Sequence, residues 1–257
     1  MATYIEQLFS LEGRVALCTG ASSGIGRHMG QVLARAGARV VLAARRQAAL
    51  EETVAAIEAE GGSAVALAAD VSDLEGLPEV HRAAAEPFGP PDILVNAAGV
   101  NVRKHADEVS LEGWDQTLRI NLSAPFFLAQ ACVSAMREKR CGNIINIASL
   151  QSFRAFTSGV AYGASKGGVA QLTRAMAEAW SRHGIVANAL VPGFFKTELT
   201  EAVFADDAVS GHHAAMTAIG RNGELTDLDG ATVFLASRAA AYVTGQLLPV
   251  DGGYTAK

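Results

Sequence analysis

Short runs of valine, isoleucine, leucine and alanine recur along this chain, each followed by a longer segment with helical spacing of apolar residues. This alternation restricts the fold more than any other feature. Six runs are evident at residues 14–19, 39–44, 64–69, 93–95, 143–148 and 185–191, and residues 246–250 form a seventh. Strands that recur beyond intervening helices read as parallel crossovers, so the expected class is α/β, a doubly wound parallel sheet of about seven strands flanked by helices. Half of the residues are hydrophobic but only 6% are aromatic, so small aliphatic side chains fill the interior. A parallel sheet covered on both faces by closely packed helices needs that composition. No stretch reads as a linker, so residues 1–257 are expected to be one domain.

Between the runs, helices are expected at 28–36, 47–60, 74–88, about 161–183 and 226–237. Residues 110–140 read as one long helix or two, with a turn signal at Gly113 and a possible site of kinking at Pro125. The stretch 196–220 has weaker periodicity and reads as a lid over the strand ends.

A net charge of −5, with no basic run longer than Arg45-Arg46, argues against nucleic acid or an anionic membrane surface as partner. No apolar run approaches the length of a membrane span. The N-terminal stretch carries Glu6 and Glu12 but neither a basic start nor a long apolar core, so it does not read as a secretory leader, and a cytoplasmic location is expected. Cys18, Cys132 and Cys141 are odd in number and form no paired motif, which fits reduced, buried thiols. His212 and His213 adjoin, but no third ligand stands at useful spacing, so they read as a solvated pair and no metal site is expected.

Chemistry is concentrated in a few places. The first run leads into Gly20-Ala-Ser-Ser-Gly24-Ile25-Gly26 and then a helix, an arrangement that lets backbone N–H groups approach a pyrophosphate, with Ser22 and Ser23 as further donors. Its spacing departs from G-x-G-x-x-G, and a plain tight turn is the competing explanation. At the end of the second run stands Arg45, preceded by the non-acidic Ala44. An arginine there suits a ribose 2′-phosphate, whereas a solvated arginine opening a helix explains it equally well. Asp70 and Val71 end the third run, where Asp70 could touch an adenine amine or serve the local turn with Ser72 and Asp73. The fourth run enters Asn96-Ala97-Ala98-Gly99, whose small residues allow close backbone approach. Asn121 lies among apolar neighbours and so needs hydrogen-bond partners.

Ser149 follows the fifth run, and Tyr162 and Lys166 stand at i and i+4 within the next helical segment. On a helix that spacing places both on one face. An adjacent ammonium favours a phenolate, so Lys166 is expected to lower the Tyr162 pKa, and a hydroxyl at a strand's C-terminal end can hold a carbonyl oxygen.

Taken in order, Gly20 to Gly26, Asn96 to Gly99, Asn121, Ser149, Tyr162, Lys166 and Pro192-Gly193 make the chain resemble the short-chain dehydrogenase/reductase family over nearly its whole length, and the glycine spacing matches that family's TGxxxGxG. The resemblance implies a single-domain, Rossmann-type oxidoreductase interconverting a secondary alcohol and a ketone. It implies Tyr162 as general acid/base, Ser149 orienting the carbonyl oxygen, Lys166 on the nicotinamide ribose and Asn121 in a water-linked proton path. It further implies Asp70 and Val71 at the adenine, Asn96, Ala97 and Gly99 at the adjoining ribose, and Pro192, Gly193 and Thr197 at the nicotinamide. With Arg45, NADP is the expected cofactor, with NAD as the other choice. A homotetramer is implied, with the small-residue helix near Gly167 and Gly168 and the segment 242–254 as interface elements.

Within the family, FSLEGRVAL, AGVNVRKHADE, SLEGW and PGFFKTELTE are most similar to gluconate 5-dehydrogenases and related sugar-acid dehydrogenases. Arg103, Gln151 and Arg154 then become candidates for substrate contact beside Ser149, although a subunit contact or solvent would also account for the two arginines. Phe153, Phe156, Phe194 and Phe195 point instead to a bulkier, less polar ketone. A 3-oxoacyl thioester reductase and a non-catalytic dinucleotide-binding regulator are the remaining alternatives.

Overall fold

The seven apolar runs form one parallel sheet in a computed structural model that describes residues 3–257; Met1 and Ala2, which open the stretch read as lacking a leader, lie outside the described residues. The strands are β1 (Val15–Thr19), β2 (Arg39–Ala44), β3 (Ser63–Ala68), β4 (Ile93–Asn96), β5 (Gly142–Ile147), β6 (Ile185–Pro192) and β7 (Leu247–Val250). Their order is β3-β2-β1-β4-β5-β6-β7, with Leu17 of β1 opposite both Val41 and Leu94. Strands β1 to β3 are added toward one edge of the sheet and β4 to β7 toward the other, and the C-terminal strand ends on either side of this switch between β1 and β4 leave the crevice in which open α/β sheets bind ligands.

Ten α-helices accompany the strands among the described residues: α1 (Tyr4–Phe9), α2 (Gly24–Arg35), α3 (Gln47–Ala59), α4 (Leu77–Ala85), α5 (Leu111–Leu118), α6 (Ala124–Lys139), α7 (Val160–Trp180), α8 (Glu201–Phe204), α9 (Asp207–Met216) and α10 (Asp229–Ala236). On one face, Met29, Leu33 and Leu235 pack against Leu42, Val95 and Ile145. On the other, Leu77, Leu128, Met136, Met176 and Trp180 pack against Leu17, Val41 and Leu94. β1, β4 and β5 are buried throughout, which is why they read as unbroken apolar runs rather than alternating ones.

Several expected helices have different limits. α2 begins inside the glycine turn, four residues before the expected 28. α4 starts only at Leu77, because Asp73 Oδ1 accepts from the Gly76 N–H (3.3 Å) and holds 74–76 in a turn. Residues 110–140 form two α-helices joined by a π-helical turn, Arg119–Ser123. Pro125 falls in the first turn of α6, directly after the π-helical turn, and Gly113 lies inside α5 with its N–H on Ser110 Oγ (3.1 Å). The stretch 196–220 carries two helices, α8 and α9, rather than irregular chain.

Candidate active site

A cavity of about 750 Å³ opens over the strand ends, lined from the glycine turn at one end to Tyr162 and His213 at the other. The glycines are required by their surroundings. Gly20 has φ +66°, and a Cβ there would lie 2.7 Å from Ala98 Cα; a Cβ on Gly26 would lie 2.6 Å from the Gly20 carbonyl oxygen. Thr19 Oγ1 accepts from the N–H groups of Ala97 and Ala98 (3.2 Å each), which pins the exit of β4 against this turn. The first-turn N–H groups of α2 have no partners within their helix, so the turn and the helix start together form a cradle for an anion. Across the cleft stands Thr197, 3.2 Å from the position of a Cβ on Gly24.

At this end Ser22, Ser23, Ile25, Arg45, Arg46, Asp70 and Val71 line the cavity. Asp70 Oδ1 accepts from the Ser72 N–H (2.9 Å), a bond that holds its carboxyl below the usual range, with Arg45 close by adding to the effect. It therefore serves the turn and faces the cavity as well. Asn96 differs from expectation. Its amide donates to Asn146 Oδ1 (2.9 Å) and to the Pro125 carbonyl (3.3 Å), so the side chain belongs to the core and Ala97 and Gly99 alone of the three reach the cavity wall. Pro192 and Gly193, at the end of β6, complete this wall.

The other end is built on β5 and α7. Ser149 leaves β5 and caps a 3-10 turn, Leu150–Ser152, with its Oγ accepting from the Gln151 N–H (3.2 Å). Tyr162 and Lys166 come from the first two turns of α7 and are buried, at 9% and 4% exposure. Burial pushes the Tyr162 phenol up, while a hydrogen bond with Ser149 and the charge of Arg103 pull it back. Burial also pushes the Lys166 amine down to about 8. Its Nζ donates to the Ile147 carbonyl (2.6 Å) and lies 5.6 Å from the Tyr162 ring centroid. The downward pull expected of Lys166 on the phenol is thus not the leading influence here; dehydration leads, opposed by Ser149 and Arg103.

Asn121 sits in the π-helical turn, which widens the helix and lets the amide reach the loop after β4. Oδ1 accepts from the Val100 N–H, and Nδ2 donates to the Val100 carbonyl (2.9 Å each) and to Ser165 Oγ (3.1 Å). Gly99 lies between Asn121 and Lys166, its absent Cβ 3.4 Å from the amide oxygen and 3.9 Å from Nζ.

The substrate candidates separate. Arg103 lines the cavity and donates from Nη2 to the Leu199 carbonyl (3.3 Å). Gln151 also lines it, and both Gln151 Oε1 and Asn101 Oδ1 are buried acceptors without a protein partner. Arg154 does not; its guanidinium lies 5.2 Å over the Tyr254 ring. Phe156, Phe194 and Phe195 line the cavity, whereas Phe153 is half exposed outside it. His213, expected in solvent, forms part of the wall, stacked on Phe194 at 3.7 Å between centroids with Nδ1 3.2 Å from the Tyr254 hydroxyl. Besides His213, sequence reasoning missed Arg46 and Glu198, whereas Asn101, expected with Arg103 near the mouth of the crevice, does line it. The Asp206 cap that starts α9 was the one local signal that His213 stands on a helix.

A glycine-turn anion cradle, a half-buried serine and a buried tyrosine and lysine facing one crevice define an oxidoreductase built to hold a dinucleotide. A family model described as "Enoyl-(Acyl carrier protein) reductase" matches residues 20–255, and the chain belongs to the short-chain dehydrogenase/reductase family. It is 43% identical over 248 residues to gluconate 5-dehydrogenase of Gluconobacter oxydans (strain 621H), covering 96% of this chain and 97% of that one. With 5-keto-D-gluconate 5-reductase of Escherichia coli (strain K12) it shares 36% identity over 97% and 98% of the two chains. The structure of a gluconate 5-dehydrogenase from Burkholderia cenocepacia J2315, in complex with NADP and tartrate, superposes with a TM-score of 0.95 at 38% identity, covering 99% of this chain and all of that one. Such relatives make the chain an enzyme rather than a dinucleotide-binding regulator. Among the described residues no helix is long and apolar enough to cross a membrane.

Proposed function

We propose that this enzyme interconverts a secondary alcohol and a ketone on a sugar acid of the gluconate type, with NADP(H) as its cofactor. The observation that carries the substrate reading is the composition of one wall: Arg103 and the unpartnered acceptors of Asn101 and Gln151 share the cavity with Tyr162. A guanidinium suits a carboxylate, and buried acceptors without partners suit hydroxyl donors. The dinucleotide fits the opposite end, where the glycines leave room for a pyrophosphate and Ser22, Ser23, Arg45 and Arg46 supply donors. The similar Burkholderia enzyme holds NADP together with tartrate, itself a hydroxy acid.

When bound, the nicotinamide gives or takes the hydride. Tyr162 supplies the proton to the ketone oxygen in reduction and removes it from the hydroxyl in oxidation, with Ser149 holding that oxygen by a second hydrogen bond. Lys166 contributes a donor group on the tyrosine's helix face, and Asn121 fixes the π-helical turn and the β4 loop around it. Phe156, Phe194 and His213 favour a second reading, a bulkier or acyl-type ketone, because they make part of the wall apolar. A kinetic panel decides between them. Gluconate-type acids should be preferred to uncharged ketones of similar size, and Arg103→Ala should raise KM for the acids alone; preference for uncharged ketones with no effect of the substitution would eliminate the sugar-acid reading.

The assembly proposed is the homotetramer that the resemblance implies. Gly167 on α7 has open space where a Cβ would stand, and Tyr242 is fully exposed, so both elements have uncovered surface. Light scattering should give four times the 26.7 kDa chain mass.

A further inference from the structure

Arg46 has a partner that cofactor binding by itself does not explain. The guanidinium reaches from the end of β2 onto the glycine turn, where Nε and Nη2 each stand 3.2 Å from Ser22 Oγ. It thus brings a positive charge to a turn that has no basic residue in its own sequence. The same guanidinium donates from Nη1 and Nη2 to the two carboxylate oxygens of Glu198, at 3.1 and 2.9 Å. Glu198 follows Thr197 in the first turn of the lid, 152 residues along the chain from Arg46. Ser23 also hydrogen-bonds to this carboxylate, and the two contacts together hold it below the usual range. A lid carboxylate therefore lies across the place where an arginine at this strand end would take a ribose 2′-phosphate.

Carboxylate and phosphate offer a guanidinium the same forked target, and one pair of Nη donors cannot serve both fully. We propose that Glu198 is a specificity-determining residue, an internal counter-anion that the 2′-phosphate of NADP must displace from Arg46. The proposal rests on the NADP reading and adds to it a residue that opposes the cofactor. A dinucleotide without the 2′-phosphate leaves the Arg46–Glu198 pair in place, so Glu198 narrows the preference for NADP over NAD. The pair is suited to exchange, since the side chains of Arg46 and Glu198 are 52% and 62% exposed and water screens their attraction. Displacement does not cast the lid loose, because Arg103 holds the neighbouring Leu199 carbonyl from the substrate side.

The test uses adenosine 2′,5′-bisphosphate and adenosine 5′-monophosphate, which differ only in the 2′-phosphate, titrated calorimetrically into four forms of the full-length protein. These are the wild type, Glu198→Gln, Arg46→Ala and the double variant. Glu198→Gln should tighten the bisphosphate by about two- to fivefold, the range an exposed ion pair supplies, and leave the monophosphate unchanged. In the Arg46→Ala background the same substitution should change neither ligand. Tightening that persists without Arg46 would show a general charge effect and overturn the exchange, as would unchanged or weaker bisphosphate binding in Glu198→Gln. A wild type that binds the bisphosphate no better than the monophosphate would overturn the NADP reading and the exchange with it, whereas a clear bisphosphate preference that Glu198→Gln leaves alone would overturn the exchange only.

Discussion

The two ends of the cavity use opposite physics. At the catalytic end Tyr162, Lys166 and Asn121 are nearly removed from water, and burial moves the phenol up and the amine down to about 8. At the phosphate end Arg46 and Glu198 are mostly exposed, and they meet as an ion pair across a cleft. Dehydration changes the proton affinity of a group by a large factor but allows it few alternative partners. Exposure keeps each charge fixed and makes its partners exchangeable at small cost. A proton-transfer group gains from the first arrangement and a binding site that must release its ligand gains from the second.

The largest effect should come from removing the phenol proposed to transfer the proton at the dry end. Tyr162→Phe should lower turnover by ~10²–10⁴-fold while cofactor affinity, measured by fluorescence titration, stays close to that of the wild type. Retention of more than about a tenth of wild-type kcat would mean that the phenol is not the general acid/base.

A smaller effect measures the dehydration of Lys166 itself. Its folded value is lowered from 10.5 to about 8, so between those values the unfolded chain holds a proton that the folded protein has released. Stability must then rise with pH across that window, and below about 8 both states are protonated and the burial penalty is constant. Compared with Lys166→Met by denaturant unfolding without cofactor, the wild type should gain up to about 3 kcal/mol as pH climbs through the window. A difference that stays flat would show that the amine is hydrated and that the contrast between the ends has been overdrawn. At the open end the smallest changes are expected, the severalfold shifts of the Glu198 and Arg46 variants, and added salt should shrink them further.

Much of the site was legible in the chain because its parts are local, and the family resemblance gave those parts their expected roles. A glycine turn between strand and helix, a serine at a strand end and a tyrosine one helical turn from a lysine are all spacings of a few residues. The misreadings share a cause. Asn96 adjoins the glycine-rich exit of β4 and was expected on the ribose, yet Asn146, fifty residues on, claims its amide. His213 was expected in water because its own stretch has weak periodicity, and only the packing of α9 brings it to Phe194 and Tyr254.

By itself, then, the amino-acid sequence determined the order of strands and helices and the glycine turn between strand and helix, since each follows from backbone preference and short-range spacing, while the proton-transfer roles of Ser149, Tyr162 and Lys166 were expected from the family resemblance. Tertiary structure alone decided which side chains share a wall. It put Arg103 rather than Arg154 in the cavity, gave Arg46 to Ser22 and Glu198, and made burial the main influence on Tyr162. Those outcomes depend on how much water each group loses and on partners many residues away, and no local pattern encodes either quantity.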